Sequence, residues 1–226
     1  PNHLEWDPDV RLRFLVFSEE QSDRVRGWRR FIVKHQALLF IPMLLLQGIA
    51  IRVHSVRFLL CRRARFSILE SLFMVAHGFF YLGIVFSLLG AWKGMSFILV
   101  HQMLFGLYMG SVFAPNHKGM LVLKGTGTLD RLRRQVLTAR NVRGHPLTDF
   151  WFGGLNYQIE HHLFPQMARN KLKEAQATVR AFCQARSIPY RETSVVQSYR
   201  ETLRYFHHVS APLRHVDKAH PLPNGG

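Results

Sequence analysis

The sequence predicts an all-α membrane protein that consists of a transmembrane helical hairpin, interfacial helices and a cytoplasmic helical cap. Two stretches without Lys or Arg, residues 66–91 and 95–113, approach or exceed the roughly 20 apolar residues that a helix needs to cross a bilayer. Basic residues cluster on both sides of this pair. Apolar residues at helical spacing return in the more polar second half of the chain. These patterns divide the chain into residues 1–65, 66–114, 115–210 and 211–226.

Residues 1–65 are expected to form surface and interfacial helices. Ser18 followed three residues later by Gln21 is typical of a helix start. The apolar run 37–51 is interrupted by Pro42 and Gln47, and its helix would be only about 22 Å long, against a hydrocarbon core of about 30 Å. We therefore expect this run to lie at the interface or to re-enter, with its basic flanks near anionic lipid headgroups.

Residues 66–114 are predicted to form the hairpin, with Trp92-Lys93-Gly94 as the link between the two arms. Arg and Lys are concentrated before and after the hairpin, whereas the link carries one Lys, so both flanks should be cytoplasmic. His77 and His101 lie inside the arms, where an ionisable side chain is a functional candidate. A neutral His that bonds to a neighbouring helix is the favoured interpretation of both.

Residues 115–210 are predicted to contain a metal site and a helical cap. An amphipathic helix is expected over residues 129–141, and further helices over residues 172–186 and 194–209, because apolar residues recur at helical spacing. Residues 211–226 are rich in Pro and are predicted to be a disordered tail.

The candidate metal ligands lie in and before the run 154–165. If this run is helical, Gln158, His161 and His162 occupy positions i, i+3 and i+4 and share one face. Neutral imidazole is a good ligand for iron, zinc or copper, and Glu160 could accept a ring N–H from such a ligand. The alternative is a surface His-His pair beside a Pro turn.

His117 is a further ligand candidate because it follows directly on the second apolar arm, where its side chain could leave the bilayer and reach a cytoplasmic metal. Asn116 could bond to His117 or to a metal-bound water. The alternative is that His117 extends to the lipid headgroups without a chemical role.

Three blocks of the sequence resemble the membrane-bound fatty acid desaturases. The run LNYQIEHHLFP is similar to the third histidine box of that family, with Gln158 at the first position of H-x-x-H-H. The runs FAPNHKGM and RQVLTARN, at residues 113–120 and 134–141, resemble the family in order and spacing. The resemblance extends to acyl-CoA, acyl-lipid and front-end-like members. It implies an oxidoreductase of lipid metabolism with two Fe ions, which inserts a double bond into an acyl chain by using oxygen and supplied electrons.

The resemblance also implies that the first two histidine boxes precede residue 1, because PNHLEWDPD is similar to the segment that follows the second box. On this interpretation the chain is a processed piece or a fragment, and the remaining iron ligands lie upstream. His117, His161 and His162 cannot complete a di-iron centre, so the fragment alone is expected to be inactive. Two crossings between residue 1 and His117 would keep all the boxes on one side of the membrane.

The implied partners are a fatty acyl substrate, carried as a coenzyme A thioester or in a lipid, the surrounding membrane lipid, and an electron donor such as ferredoxin or a cytochrome with its reductase. Arg134 and Arg140 could bind the charged head group of the substrate, or they could belong to a solvated or lipid-facing surface. The resemblance of FAPNHKGM and RNVRG to bacterial members places the protein in a bacterial plasma membrane, with its site on the cytoplasmic face.

The net charge of +16 would also suit nucleic-acid binding, but the basic residues cluster beside apolar runs and no nucleic-acid-binding motif accompanies them. Nucleic acid is therefore excluded as a partner. Two alternatives to a desaturase stay open, namely a related di-iron lipid hydroxylase and a truncated, non-catalytic membrane protein.

Overall fold

The computed structural model describes residues 15–61, 67–123 and 129–214. Helices dominate these ranges, as predicted. They are α1 (Glu19–Asp23), α2 (Arg29–Lys34), α3 (Gln36–Leu45), α4 (Gln47–Leu60), α5 (Ser67–His117), α6 (Arg131–Leu137), α7 (Pro146–Phe152), α8 (Gln158–Leu163), α9 (Leu172–Ala185) and α10 (Val195–Val209). The strands β1 (Asn141–Val142) and β2 (Glu192–Thr193) pair in parallel.

The chain divides into two compact units. One comprises Ile41–Ser111, and the other comprises Pro1–Phe40 together with Val112–Gly226. The first contains α4 and most of α5, whereas the second contains α6 to α10 and the strand pair.

Helix α5 is interrupted at Gly90, which has φ 69° and ψ 179°. The hydroxyl oxygen of Tyr81 lies 2.7 Å from Nδ1 of His101, 20 residues further along the chain. In a straight helix these residues would be about 30 Å apart, so the chain reverses direction at Gly90. His101 therefore bonds to the opposite arm, as predicted, and His77 stacks on Tyr81 with ring centroids 6.2 Å apart.

The predicted link at residues 92–94 is wrong by a few positions, because those residues lie within the second helical arm. Glycine adopts the conformation seen at Gly90 at low cost, since it has no Cβ to meet the neighbouring carbonyls. Gly94 has a different role. A Cβ atom there would lie 2.8 Å from Cδ1 of Phe86, so Gly94 allows the arms to approach each other.

Helix α5 from Ile68 to His117 is long and apolar enough to cross a membrane, and many of its large apolar side chains are exposed. Helices α3 and α4 meet at a bend of 70°. They are long and apolar enough to cross a membrane only if the two are counted together as one span. The break lies near Gln47, where the sequence predicts a discontinuity. Helices α4 and α5 also approach closely at Gly48 and Gly106, since a Cβ on Gly106 would lie 2.6 Å from the backbone nitrogen of Gly48.

Helices α6, α8 and α9 enclose the core of the other unit. One buried cluster comes from all three helices and from the segments after α6 and α9, namely Val136, Ala139, Ile159, Val179, Cys183 and Ile188. A second cluster lies beside it and consists of Val112, Val142, Phe152 and Leu155. Together these clusters hold α8 against α6, α9 and strand β1.

Several predicted helix boundaries are confirmed. Ser18 caps α1 by accepting a hydrogen bond from the Gln21 amide, and Ser194 caps α10 by accepting one from the Gln197 amide. Helix α6 is shorter than predicted. It begins after Asp130, whose carboxylate accepts from the Arg133 amide, and the chain then leaves the helix to form β1.

The prediction of a disordered tail is wrong for residues 211–214. Residues 211–214 are helical, and Leu213 is only 3% exposed, because its apolar side chain continues the buried face of α10. The tail prediction for residues 215–226 lies outside the described residues, as do Arg62, Arg63, Arg65 and Lys124 of the predicted basic flanks.

The reversal at Gly90 gives a testable prediction. We expect Gly90→Ala to destabilise the hairpin by about 1–3 kcal/mol, because an L side chain is strained in this conformation. Gly78→Ala is the matched control. Gly78 lies within a helical arm, and a Cβ there meets nothing within 4 Å, so alanine should be neutral or stabilising by up to about 1 kcal/mol. Thermal unfolding in detergent measures both, and equal midpoints for the two variants would contradict a turn that depends on Gly90.

Candidate metal centre

Two glycines direct the chain into α8. Helix α7 ends at Gly153, which has φ 55°, and Gly154 follows with φ 82°. A Cβ on Gly154 would lie 2.8 Å from the carbonyl oxygen of Arg169, so both the backbone angle and the space require glycine there. This pair lets the chain turn before Gln158.

One side of α8 is fixed to the core by Asn141. The side-chain oxygen of Asn141 accepts a hydrogen bond from the Ile159 amide at 2.9 Å, and its nitrogen donates to Oε2 of Glu160 at 2.6 Å. The Tyr190 hydroxyl donates to the other carboxylate oxygen of Glu160 at 2.8 Å. Glu160 is fully buried, and burial raises its pKa, while the hydrogen bonds from Asn141 and Tyr190 oppose that rise.

These bonds correct the predicted role of Glu160 as the partner of an imidazole N–H. Consecutive residues of a helix point in different directions, so Glu160 faces Asn141 and Tyr190 while the histidines that follow it face elsewhere. Glu160 anchors α8 instead. No local sequence pattern identifies Tyr190, because its contact with Glu160 spans 30 residues.

The opposite side of α8 carries the histidines. The rings of His117 and His162 are stacked, with centroids 5.0 Å apart and an angle of 25° between them. The rings of His161 and His162 have centroids 6.2 Å apart. The fold thus brings the end of α5 to the helix that holds the His-His pair, so three of the four predicted ligands lie side by side.

Gln158, the fourth predicted ligand, lies between Asn116 and His162. The side-chain nitrogen of Asn116 donates to Oε1 of Gln158 at 3.2 Å and to the carbonyl oxygen of Leu155 at 2.9 Å. The side-chain nitrogen of Gln158 lies 3.0 Å from Nε2 of His162. Asn116 and Gln158 are buried, so this row of hydrogen bonds fixes the orientation of the His162 ring from the protein interior.

Burial favours the uncharged form of both histidines on α8. It lowers the pKa of His162 to about 4, an effect that His161 reinforces and the backbone of Gln135 opposes. Burial and, secondarily, Arg169 lower the pKa of His161. Both imidazoles are therefore neutral at pH 7, which is the state that binds metal ions.

The side-chain atoms of this cluster are of the types that bind metal ions. Within the part of the chain that the structure describes, Nδ1 of His161, Nδ1 of His162 and Oδ1 of Asn116 are buried without a hydrogen-bond partner. Buried polar atoms are normally paired, and imidazole nitrogens suit iron or zinc. Across the same described ranges, no group of three or more His, Cys, Asp or Glu side chains is arranged to hold a metal ion. The residues therefore fit as one part of a ligand set.

The prediction that Arg140 binds the substrate head group is wrong. Its side chain is fully buried, and its guanidinium donates to the carbonyl oxygen of Pro115, to Glu201 and to Thr202. Burial lowers the pKa of Arg140 to about 10, and the charge of Glu201 opposes this shift. With its donors engaged inside the protein, Arg140 cannot reach a substrate head group. Arg134 is half-buried and donates to the carbonyl oxygen of Leu129 at 3.3 Å.

Comparison with known proteins decides the family. A profile described as fatty acid desaturase matches residues 1–194. The chain belongs to the fatty acid desaturase family. This membership confirms the resemblance carried by the run LNYQIEHHLFP and the two blocks before it.

Three relatives show how much of a desaturase the chain covers. An acyl-lipid (9-3)-desaturase of Physcomitrium patens is 31% identical over 143 residues, which are 63% of this chain and 27% of the relative. An acyl-lipid (9-3)-desaturase of Borago officinalis is 27% identical over 236 residues, 98% of this chain and 52% of the relative. A Delta(6)-fatty-acid desaturase of Caenorhabditis elegans is 30% identical over 122 residues, 53% of this chain and 28% of the relative. The matches thus span between about a quarter and about half of these relatives. No solved structure matches the chain significantly.

The anchor behind α8 can be separated from the metal-facing side by mutation. Tyr190→Phe removes one of the two donors to the buried Glu160, so we expect it to destabilise the protein by about 1–3 kcal/mol. Iron content per folded protein should be retained, because the Tyr190 hydroxyl bonds to Glu160 and Asn141 on the side of α8 away from the histidines. Thermal unfolding and metal analysis of the complete protein measure the two quantities. His162→Ala should instead lose iron and keep its stability. Loss of iron in Tyr190→Phe without a loss of stability would show that Tyr190 belongs to the metal-facing side and not to the anchor.

Proposed function

We propose that the complete protein is an oxygen-dependent fatty acyl desaturase and that this chain supplies part of the ligands for its two Fe ions. The observation that carries the proposal is the cluster of His117, His161 and His162, in a chain that belongs to the desaturase family. The remaining ligands would come from the part of the protein that precedes residue 1.

When bound, the iron ions would supply the activation of oxygen and the oxidation of C–H bonds. Overall, two hydrogens leave adjacent methylene groups and a C=C bond forms. Oxygen is reduced to two waters with two further electrons from the donor and two protons from solution. No acidic or basic side chain of this chain is needed to break the C–H bonds.

The residues of this chain would bind the metal ions and orient their histidine ligands. His117, His161 and His162 would bind metal through uncharged imidazole nitrogens, which burial favours on α8. Gln158 lies within hydrogen-bond distance of His162, and Asn116 donates to Gln158, so these two amides would set the direction of the His162 ring. Gln158 is itself the weakest ligand candidate, since both ends of its amide are engaged.

The substrate would be an acyl chain, because the relatives named above are acyl-lipid and fatty-acid desaturases. A lipid-bound acyl chain is therefore the first substrate to test, and a coenzyme A thioester the second. Arg134 remains the candidate for contact with the substrate head group. A ferredoxin, or a cytochrome with its reductase, would deliver the electrons.

The arms of α5 would cross the membrane as a hairpin, while α3 and α4 would lie at the interface. The exposed apolar side chains of α5 and the bend of 70° between α3 and α4 support this arrangement. The distribution of Lys and Arg favours a cytoplasmic site. The three relatives described above are eukaryotic, so they give no support to the predicted bacterial plasma membrane.

Alanine substitution of the cluster tests the proposal. We expect His161→Ala and His162→Ala in the complete protein to abolish double-bond formation and reduce bound iron, while membrane insertion stays intact. His207→Ala is the matched control, because His207 also belongs to a His-His pair but is exposed on α10. Normal product formation in either α8 variant would remove the ligand role.

Product analysis of the unmodified protein separates the remaining functions. Iron together with a new double bond, found in the complete protein and absent from residues 1–226 alone, would support the proposal. A hydroxylated acyl product would indicate a lipid hydroxylase. Absence of both iron and product in the complete protein would indicate a non-catalytic membrane protein.

A further inference from the structure

The last turn of α5 depends on Arg140. A helix end leaves backbone carbonyls without intrahelical partners. Here the backbone N–H of Arg140 donates to the carbonyl oxygen of Asn116 at 3.0 Å, Nε donates to that of Pro115 at 2.5 Å, and Nη2 donates to that of Lys118. These three carbonyls bracket His117 on both sides. A positive charge at the C-terminal end of a helix is also favourable to the helix dipole.

The guanidinium of Arg140 is in turn held by α10. Nη1 donates to Oε2 of Glu201 at 2.5 Å, and Nη2 donates to the hydroxyl of Thr202 at 3.2 Å. The other carboxylate oxygen of Glu201 accepts from Arg191 at 2.7 Å and from Gln197 at 2.8 Å. The Arg140 side chain is 0% exposed and that of Glu201 is 15% exposed, so this pair is largely shielded from solvent.

We propose that Arg140, held by Glu201, is a positioning residue that fixes the direction of His117. This inference rests on the proposed function, because the direction of His117 matters only if its ring binds metal. As the last residue of α5, His117 would fray without a cap, and its ring would leave the place where it stacks on His162.

Arginine suits this task better than lysine. Its planar guanidinium presents five donors in a fixed fork, so one side chain reaches two carbonyl oxygens and a carboxylate at once. A lysine ammonium carries the same charge but cannot reproduce this planar geometry. Arg140→Lys therefore keeps the buried charge and removes part of the cap, which separates positioning from charge.

The experiment uses the complete protein with Arg140→Lys, with Glu201→Gln, and with Arg143→Lys as the matched control, since Arg143 is exposed three residues further on. Two quantities are measured. The first is iron affinity, by competition with a chelator. The second is the rate at which diethyl pyrocarbonate modifies each histidine of the metal-free protein, by peptide mass spectrometry.

We expect Arg140→Lys and Glu201→Gln to weaken iron binding about 10- to 100-fold, the range found when residues that orient a ligand are changed. The modification rate of His117 should change at least several-fold, whereas those of His161 and His207 should not. Arg143→Lys should match the unmodified protein in both measurements.

Unchanged iron affinity and an unchanged rate at His117 in both variants would overturn the positioning role. Equal changes at His117, His161 and His207, or failure of both variants to fold, would assign Arg140 to general stability and would overturn it as well. If the unmodified protein binds no iron, the proposed function fails, but the labelling of His117 still decides whether Arg140 fixes that residue.

Discussion

A helix of six residues is too short to be stable alone in water, so the metal-facing surface depends on the contacts that hold α8 in place. Asn141 provides the central contact, because it bonds the backbone of Ile159 and the carboxylate of Glu160 from a single side chain. Ile159 is fully buried in the core below. The histidines on the other side of α8 are therefore presented by a helix whose position is set from behind.

Two buried ionisable side chains of this unit, Glu160 and Arg140, are held by hydrogen bonds near the histidines. Glu160 and Arg140 are both fully buried, and each is bonded to side chains of opposite or complementary polarity. Leaving a buried charge without such partners costs several kcal/mol, so these networks strongly restrict where α8 and the end of α5 can lie. The same exclusion of water keeps His161 and His162 uncharged. One physical cause, burial, thus serves both the stability of the unit and the chemistry of its ligands.

The apolar unit follows simpler rules, in which backbone geometry and side-chain size dominate. Gly90 reverses the chain, and Gly94 gives the room that Phe86 occupies. Gly48 and Gly106 allow two backbones to meet more closely than any side chain would permit. The polar contact between Tyr81 and His101 joins the two arms, and it gives a ring nitrogen of His101 a partner between two largely apolar helices.

The sequence by itself determined what is encoded over a few residues. It determined the two apolar arms, the caps at Ser18 and Ser194, helices α9 and α10, and the shared face of Gln158 and His162, because each depends on periodicity or on contacts within four positions. Membership of the family also followed from short blocks of residues.

The tertiary structure decided the direction of Glu160, the burial of Arg140 and the approach of His117 to His162. These depend on partners far away along the chain: Asn141 lies 19 residues from Glu160, and Glu201 lies 61 residues from Arg140. The position of the turn was likewise decided by the folded chain, in which Gly90 takes the reversing backbone conformation and Gly94 makes room for Phe86. Local patterns specify which residues share a face, but only the folded chain specifies what that face meets.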